Sequence, residues 1–219
     1  MKAIWIAIIA ILILAFSLTF AAYPLMPKTI VTHWDAAGNP NGSMQALWGI
    51  LIVPLIMVGM TVLFAVIPRI DPLRKNYGTF LNYYEGFVLF ILAFMLVIQI
   101  QVLLWNTGYM LNPNLLLPIL TGLLFIYIGF LIEKAEQNWF VGIRTPWTLS
   151  SVTVWKKTHD LGGNLFKVAG VISCAGILFQ EYAIWFVLVP VLVVSVYSVA
   201  YSYVEYQKEG HPKTDGSED

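Results

Sequence analysis

Two segments of this 219-residue sequence carry side chains that could do chemistry. In the first, His33 and Asp35 flank Trp34, and both are residue types that bind metal ions. Residues two apart on a strand point to the same face, so a metal ion could bridge this pair. Two ligands are a weak metal signal, however, and Asp is also a frequent turn former. We favour the interpretation that Asp35 caps a turn and that His33 and Trp34 lie at the depth of the lipid headgroups.

The second segment covers residues 133–163 and combines a basic bend with aromatic side chains. Arg144 precedes a Thr-Pro-Trp bend, where its guanidinium can hold a lipid phosphate or a partner's carboxylate. His159 and Asp160 are adjacent, and adjacent helical residues do not face each other as a proton-transfer pair would. The sequence has no serine-centred Gly-x-Ser-x-Gly, no His-Glu-x-x-His and no phosphate-binding glycine loop. It therefore indicates no enzyme, no cofactor and no metal site.

Composition places both segments in a membrane protein. Hydrophobic residues make up 59% of the chain and charged residues 11%, and 12 Lys and Arg balance 12 Asp and Glu. This excludes a soluble globular domain and a disordered chain, and it argues against direct nucleic-acid binding, which needs a positive field. The charges cluster and leave charge-free runs at 3–27, 36–68, 86–132, 168–180 and 182–204. Because about 20 apolar residues of helix cross a bilayer core, these runs predict membrane spans.

Pro, Gly and Asn residues divide the apolar runs into six predicted helices. Prolines end the first two, and turn formers at 106–108 and 112–114 divide the long run. The predicted helices cover residues 3–23, 47–67, 84–104, 115–132, 164–179 and 182–204. The fifth is the shortest and reaches only about 24 Å at the rise of an α-helix. The fold class predicted is an all-α integral membrane protein with six transmembrane helices.

The basic residues predict how these helices are oriented. Six spans place the loops 24–46, 105–114 and 180–181 on one side, and of the 12 Lys and Arg only Lys28 lies there. Short cytoplasmic loops of membrane proteins carry an excess of Lys and Arg. Both termini are therefore predicted to be cytoplasmic, with the protein in the cell membrane.

The outer loop at 24–46 is predicted to be ordered. Residues 29–34 are rich in β-branched and aromatic types, which favours a short strand. Turn formers fill the stretch 35–42.

The inner loop at 133–163 is predicted to contain an amphipathic helix. Ser150 or Ser151 can cap a helix over 152–161, and Gly162-Gly163 would end it. Its apolar stripe is short, and the side chains that suit an interfacial position are Trp155, Lys156 and Lys157.

Long runs of the inner loop are specific enough to compare with known families. They read Gly142-Ile143-Arg144-Thr145-Pro146-Trp147-Thr148-Leu149-Ser150-Ser151, Val154-Trp155-Lys156-Lys157-Thr158-His159 and Leu161-Gly162-Gly163. This pattern resembles the hallmark of the SdpI family of membrane proteins. The outer-loop run Thr32-His33-Trp34-Asp35, with Gly38, Pro40 and Gly42, resembles the small N-terminal module often found with it. One departure is Val152-Thr153, where an acidic residue is expected, and this weakens the capping box.

The resemblance implies a function and a division of the chain. The family is named for a protein that protects a bacterium from its own secreted killing peptide and, on sensing the toxin, sequesters a repressor at the membrane. The implied partners are membrane lipid, a secreted peptide toxin and a cytoplasmic transcriptional repressor. The implied modules are residues 1–67, with two spans and the outer loop, and 84–204, with four spans and the inner loop, followed by a polar tail at 205–219.

The resemblance also nominates site residues. Arg144, Trp147, Trp155 and His159 are expected to form a cytoplasmic-face cluster that responds to helix rearrangement or presents a docking surface. The wider functional motif comprises Gly142, Arg144, Thr145, Pro146, Trp147, Trp155, Lys156, Thr158, His159, Gly162 and Gly163. The outer-loop set comprises His33, Trp34, Asp35 and Gly38.

Two other functions stay open at the level of sequence. A small-solute transporter or channel needs a polar path, but Glu85 is placed near the inner end of the third helix and Glu181 in an outer turn. Gln99 and Gln101 are better explained as hydrogen-bonding links between helices. A metal-assisted membrane enzyme would use His33 and Asp35.

Overall fold

The computed structural model of the protein describes residues 2–210. Its helices are α1 (Lys2–Ala22), α2 (Ala46–Ile70), α3 (Tyr77–Asn106), α4 (Pro113–Lys134), α5 (Pro146–Ser150), α6 (Val152–Ala175) and α7 (Ala183–Lys208). Two strands, β1 (Thr29–Trp34) and β2 (Pro40–Gln45), lie between α1 and α2. Within these residues, six helices are long and apolar enough to cross a membrane. The prediction of a multi-pass, all-α membrane protein with six transmembrane helices is confirmed.

The helices form two groups that meet along α3 and α4. Helices α1 and α2 pack on α3, while α6 packs on both α4 and α7. Helix α5 and the chain from 135 to 145 cover one end of the bundle, called here the motif end. The two strands and the 107–112 loop cover the opposite end, called here the hairpin end. The predicted orientation makes the motif end cytoplasmic, and of the predicted polar tail, residues 211–219 lie outside the described part.

The hairpin is held on the bundle by an apolar anchor and by a side-chain amide. β1 and β2 pair antiparallel, with an irregular register around His33. Ile30 of β1 is buried in a cluster with residues of α2 and α3. The Asn106 side chain accepts from the Val31 N–H at 2.8 Å and donates to the Val31 carbonyl at 2.9 Å, as a neighbouring strand would. The predicted strand at 29–34 is confirmed, whereas β2 falls partly where only turn formers were expected.

Helix α6 differs from its prediction. It runs unbroken from Val152 to Ala175, so the expected helix end at Gly162-Gly163 is wrong, and so is a separate span that starts at residue 164. The predicted amphipathic segment 152–161 is instead the first part of the fifth transmembrane helix. With its short extension to Leu178 the span has 27 residues, which removes the difficulty of its length.

The glycines of α6 are a packing surface. A Cβ on Gly163 would lie 2.7 Å from the Gly129 carbonyl oxygen of α4, and one on Gly122 would lie 2.5 Å from the Gly170 carbonyl oxygen. Both helices therefore carry glycines seven residues apart on the faces that meet. In lipid, small residues allow two backbones to approach closely, which gains van der Waals contact that apolar side chains would block. Here glycine shortens the distance between helices and does not end one.

Three further boundaries were placed wrongly. α2 continues through Pro68 to Ile70, α3 begins at Tyr77 rather than at Tyr84, and α7 continues to Lys208, so that the first residues of the predicted polar tail are helical. Prolines are tolerated in membrane helices because neighbouring groups form hydrogen bonds with the backbone carbonyl that the proline leaves without a partner. The first turns of α3 are held by tilted and edge-on contacts among the rings of Tyr77, Phe80 and Tyr84 at the motif end.

Candidate functional site

Trp155 and His159 form the centre of the motif end. They lie one turn apart on α6, are 2% and 1% exposed, and stack with ring centroids 3.8 Å apart. The Trp155 indole donates to the Ala135 carbonyl at 2.7 Å, which ties α6 to the end of α4. The expectation that Trp155 lies at the membrane interface is therefore wrong, because its one polar atom is satisfied inside the protein.

The hydrogen bonds of His159 define its protonation. Its Nε2 accepts from the Ile143 N–H at 3.0 Å, and its Nδ1 lies 2.8 Å from the Trp155 carbonyl oxygen. A ring nitrogen that accepts carries no proton, and one facing a carbonyl must donate, so the ring is the neutral Nδ1–H tautomer. His159 thus acts as a bridge between α6 and the chain before α5.

Gly142 makes this bridge possible. Its φ of +114° is a backbone conformation that side chains with a Cβ rarely adopt. A Cβ at this position would clash with His159 Nε2 and lie 3.0 Å from Cδ2. Glycine therefore lets the backbone turn and lets Ile143 reach the imidazole.

The Thr-Pro-Trp bend fastens α5 to α7. The Thr145 hydroxyl accepts from the Thr148 N–H at 3.1 Å and the Thr148 hydroxyl accepts from the Thr145 N–H at 2.9 Å, which is a reciprocal capping box. Thr145 Oγ1 also lies 3.0 Å from Ser202 Oγ of α7. Beside it, the Trp147 ring meets the Tyr203 ring edge-on at 5.0 Å. Trp147 therefore contacts α7 and is not part of the Trp155–His159 stack.

Helix α6 begins as the serine pattern predicted. The Ser151 hydroxyl accepts from the Val154 N–H at 3.1 Å, so Ser151 is the N-cap. This cap satisfies one of the free amides at the start of the helix, although no acidic residue stands at 152–153.

Asp71 and Asn138 form a buried polar network that the sequence did not indicate. The Asp71 carboxylate accepts from the backbone N–H groups of Leu73, at 2.7 Å, and Trp139, at 2.9 Å, and from the Tyr77 hydroxyl. The fully buried Asn138 folds its own loop by accepting from the amides that follow it and donating to two carbonyls. The only signal in the sequence was that Asp and Asn favour turns.

Few of the nominated motif residues remain accessible. Thr145, Trp155, Thr158, His159, Gly162 and Gly163 are buried, and Arg144, Pro146 and Lys156 are exposed. Arg144 donates from its guanidinium to the Trp139 carbonyl, and Trp139 and Phe140 beside it are exposed as well. Lys156 pairs with Asp160 one turn on, and exposed pairs of this kind contribute little.

Ion pairs join the helices at the motif end. Lys157 of α6 binds Glu205 of α7 at 2.8 Å, and Lys208, within α7, binds the same carboxylate at 2.6 Å. Lys167 of α6 binds Glu133 of α4 at 2.5 Å. These pairs reinforce the contacts of α6 with both neighbours.

In the outer loop, Asp35 caps the hairpin turn as predicted. Its Oδ1 accepts from the N–H groups of Ala37 and Asn39, each at 2.9 Å. The Asn39 N–H, assisted by that of Ala37, holds the pKa of the exposed Asp35 carboxyl below its ordinary value. His33 is paired with the Asn41 side chain instead of with Asp35. Among residues 2–210, no group of three or more His, Cys, Asp or Glu side chains could hold a metal ion.

A cavity of about 600 Å³ lies beneath the hairpin. It is bounded by β1 and by the hairpin-end parts of α2, α3, α4 and α7. The lining side chains used below are Trp34, Ile52, Val97, Gln101, Leu117 and Thr121. This space, called here the hairpin cavity, lies at the end of the bundle opposite Trp155 and His159.

Two buried glutamines of α3 have different roles. Gln99 donates to Thr19 Oγ1 of α1 at 2.8 Å and to the Ile50 carbonyl of α2 at 2.9 Å, so its predicted role as a link between helices is confirmed. Gln101 donates to the carbonyl of Leu111 in the α3–α4 loop and lines the hairpin cavity, so the same prediction is wrong for it.

Comparisons with known proteins match both ends of the chain. The model of the SdpI/YfhL protein family matches residues 134–202, and that of a domain of unknown function, DUF1648, matches residues 10–58. The chain is 31% identical over 201 residues to Immunity protein SdpI of Bacillus subtilis strain 168, which covers 91% of the chain and 94% of that protein. It is 35% identical over 57 residues to the uncharacterized membrane protein YbgB of the same organism, covering 26% of the chain and 58% of that protein.

No solved structure matches the chain. The match to Immunity protein SdpI extends over 91% of the chain and 94% of that protein, and is not confined to one segment. Together with the match over 134–202, it identifies this multi-pass membrane protein as a member of the SdpI family.

Proposed function

We propose that this protein gives a bacterial cell resistance to a membrane-active peptide toxin. The observation that carries the proposal is the 31% identity to Immunity protein SdpI over nearly the whole length of both chains. The assignment includes no catalytic step and no cofactor.

The architecture supports binding or sensing better than transport. Among the buried carboxylates, Asp71 and Glu205 lie near helix ends, where they bond to the Trp139 N–H and to Lys157. Glu85 lies about two turns inside α3, and its carboxylate accepts from the Trp5 indole N–H. A transporter would need ionisable or polar groups that continue across the bilayer. Solute flux into proteoliposomes that contain the protein tests this alternative directly.

We also propose that the motif end docks a cytoplasmic regulator. The exposed surface formed by Trp139, Phe140 and Arg144 carries the residue types that dominate protein interfaces. It rests on a rigid support, because Asp71 and Asn138 hold the backbone beneath it. A change in the packing of α6 against α4 or α7 would reach this surface through the Trp155–His159 stack.

Expression in a sensitive host tests the immunity proposal. Cells of Bacillus subtilis strain 168 that lack their own SdpI are transformed with this gene and grown beside the parent strain. Survival above that of cells with an empty vector is expected, and equal killing of both would contradict the proposal.

Arg144→Ala tests whether the motif end is needed for protection in the same cells. We expect loss of protection with unchanged membrane insertion, measured in the membrane fraction. Arg69→Ala is the matched control, because Arg69 is also exposed, predicted to lie on the same side and bonded to a backbone carbonyl. Full protection by Arg144→Ala would show that this surface is not needed for protection.

A further inference from the structure

We infer that the hairpin cavity binds a short apolar peptide segment and recognises its backbone amide. The inference rests on the proposed function, since it assigns a place at which a toxin peptide would be held. It concerns the hairpin end, whereas the family motif lies at the other end.

The size and lining of the cavity fit such a segment. Its volume of about 600 Å³ lies within the range of sites that bind small ligands. Most of its wall is made of aliphatic side chains such as Ile52, Val97 and Leu117. An occupant must therefore present mainly apolar side chains along this wall, since the only ionisable side chains in the lining are His33 and Asp35 of the hairpin.

Two buried polar atoms of residues that line the cavity lack hydrogen-bond partners among residues 2–210. One is the indole N–H of Trp34, a donor, and the other is the Oε1 atom of Gln101, an acceptor. Gln101 is 7% exposed, and its amide nitrogen is already used by the Leu111 carbonyl. Buried polar groups are nearly always paired, so an unpaired donor and acceptor in one cavity indicate an occupant with both functions.

The chemistry of the two orphan atoms favours a peptide over a lipid tail. A peptide unit offers one N–H and one carbonyl, which are the complements of Gln101 Oε1 and Trp34 Nε1. A hydrocarbon chain offers neither and would leave both atoms unpaired. Asn114, by contrast, lines the same cavity with its amide nitrogen fully engaged by the carbonyls of Ala36 and Gln180.

A route of entry is open from the bilayer. Ile52 of α2 and Leu117 of α4 line the cavity and are also exposed on the membrane-spanning surface. A peptide dissolved in that half of the bilayer can therefore reach the cavity between α2 and α4.

Photo-cross-linking tests the inference without knowledge of the natural toxin. The purified protein in phosphatidylcholine nanodiscs is mixed with a blocked, uncharged oligoleucine peptide that carries one diazirine leucine. Mass spectrometry after illumination maps the cross-links and gives the peptide concentration for half-maximal labelling. We expect cross-links concentrated in residues 97–102 and 116–121.

Three variants sharpen the test. Gln101→Leu should raise the half-saturating concentration about five- to tenfold, the usual effect of one lost hydrogen bond. Gln99→Leu is the matched control: Gln99 lies on the same helix and also has an unpaired Oε1, but it is outside the cavity lining, so labelling should be unchanged. Val97→Trp fills the cavity, keeps Gln101 in place and should abolish labelling even if Gln101→Leu fails to fold.

Several results would overturn the inference. These are cross-links spread over the lipid-facing sides of all helices, equal binding by Gln101→Leu and wild type, and displacement of the peptide by a diazirine fatty acid that labels the same residues. The last result would make the cavity a lipid site. Absent cavity labelling with protection intact refutes this inference alone, and cavity labelling without protection refutes the proposed function alone.

Discussion

Replacement of Gly142 by Ala tests whether the motif end depends on the contact between the glycine and His159. Alanine at φ +114° is strained by about 1–3 kcal/mol. Its Cβ would also push against His159 Nε2 and break the 3.0 Å bond from the Ile143 N–H, which leaves a buried acceptor unpaired at a cost of about 1–3 kcal/mol. The expected loss in free energy of unfolding is therefore about 2–6 kcal/mol.

Gly108 provides the matched control. Its φ of +102° is similar, but a Cβ at this position would meet nothing within 4 Å. Gly108→Ala should therefore lose only the backbone term of about 1–3 kcal/mol. The difference between the two variants isolates the contribution of the His159 contact, about 1–3 kcal/mol.

The measurement is equilibrium unfolding of the purified protein in detergent, followed by tryptophan fluorescence. A difference below about 0.5 kcal/mol between Gly142→Ala and Gly108→Ala would refute the assigned contact, since independent sites agree only to this level. A second check uses His159→Ala as the background. In that background the imidazole with which the added methyl group would clash is absent, so Gly142→Ala should lower the free energy of unfolding no more than Gly108→Ala does.

Three further predictions concern other parts of the chain. The folded pKa of Asp35 is depressed, so its contribution to hairpin stability is present above the ordinary value of 3.8 and is lost as the pH falls through the lower folded pKa. A carboxyl NMR titration with a midpoint at or above 3.8 would contradict this prediction. Gly163→Ala should lower the free energy of unfolding by about 1–3 kcal/mol in the same assay, because the added methyl group separates α6 from α4. Gly59 has open space around it, so Gly59→Ala should change that free energy by less than about 1 kcal/mol in either direction. Equal effects of the two substitutions would disprove the packing argument. A reporter fused after Asp219 should be active only in the cytoplasm, and activity on the outer face would overturn the predicted orientation.

The sequence predicted much of the fold, because several of its signals are local. The six spans follow from apolar runs, the strand from β-branched residues at 29–34, and the caps from Asp35 and Ser151. A cap needs only the amides of the next few residues, so its chemistry can be recognised without knowledge of the rest of the chain.

The candidate site was less predictable, because its residues act through distant partners. Asp71 bonds to the Trp139 N–H, and Thr145 bonds to Ser202, each pair joining segments far apart in sequence. Gly162-Gly163 has the pattern of a helix end, but α4 is packed against it, and close packing rewards glycine within a helix. The neighbouring sequence does not distinguish a glycine pair that ends a helix from one that packs within it.

The sequence by itself thus determined that the protein lies in a membrane, how many helices cross it and, through its motifs, which family it resembles. Only the tertiary structure decided that Trp155 and His159 are buried together, that glycines join α4 to α6, and that a cavity lies under the hairpin. The physical reason is that the bilayer and the protein interior are equally apolar. Hydropathy therefore marks which residues leave water, and it does not mark which of them face lipid and which face another helix.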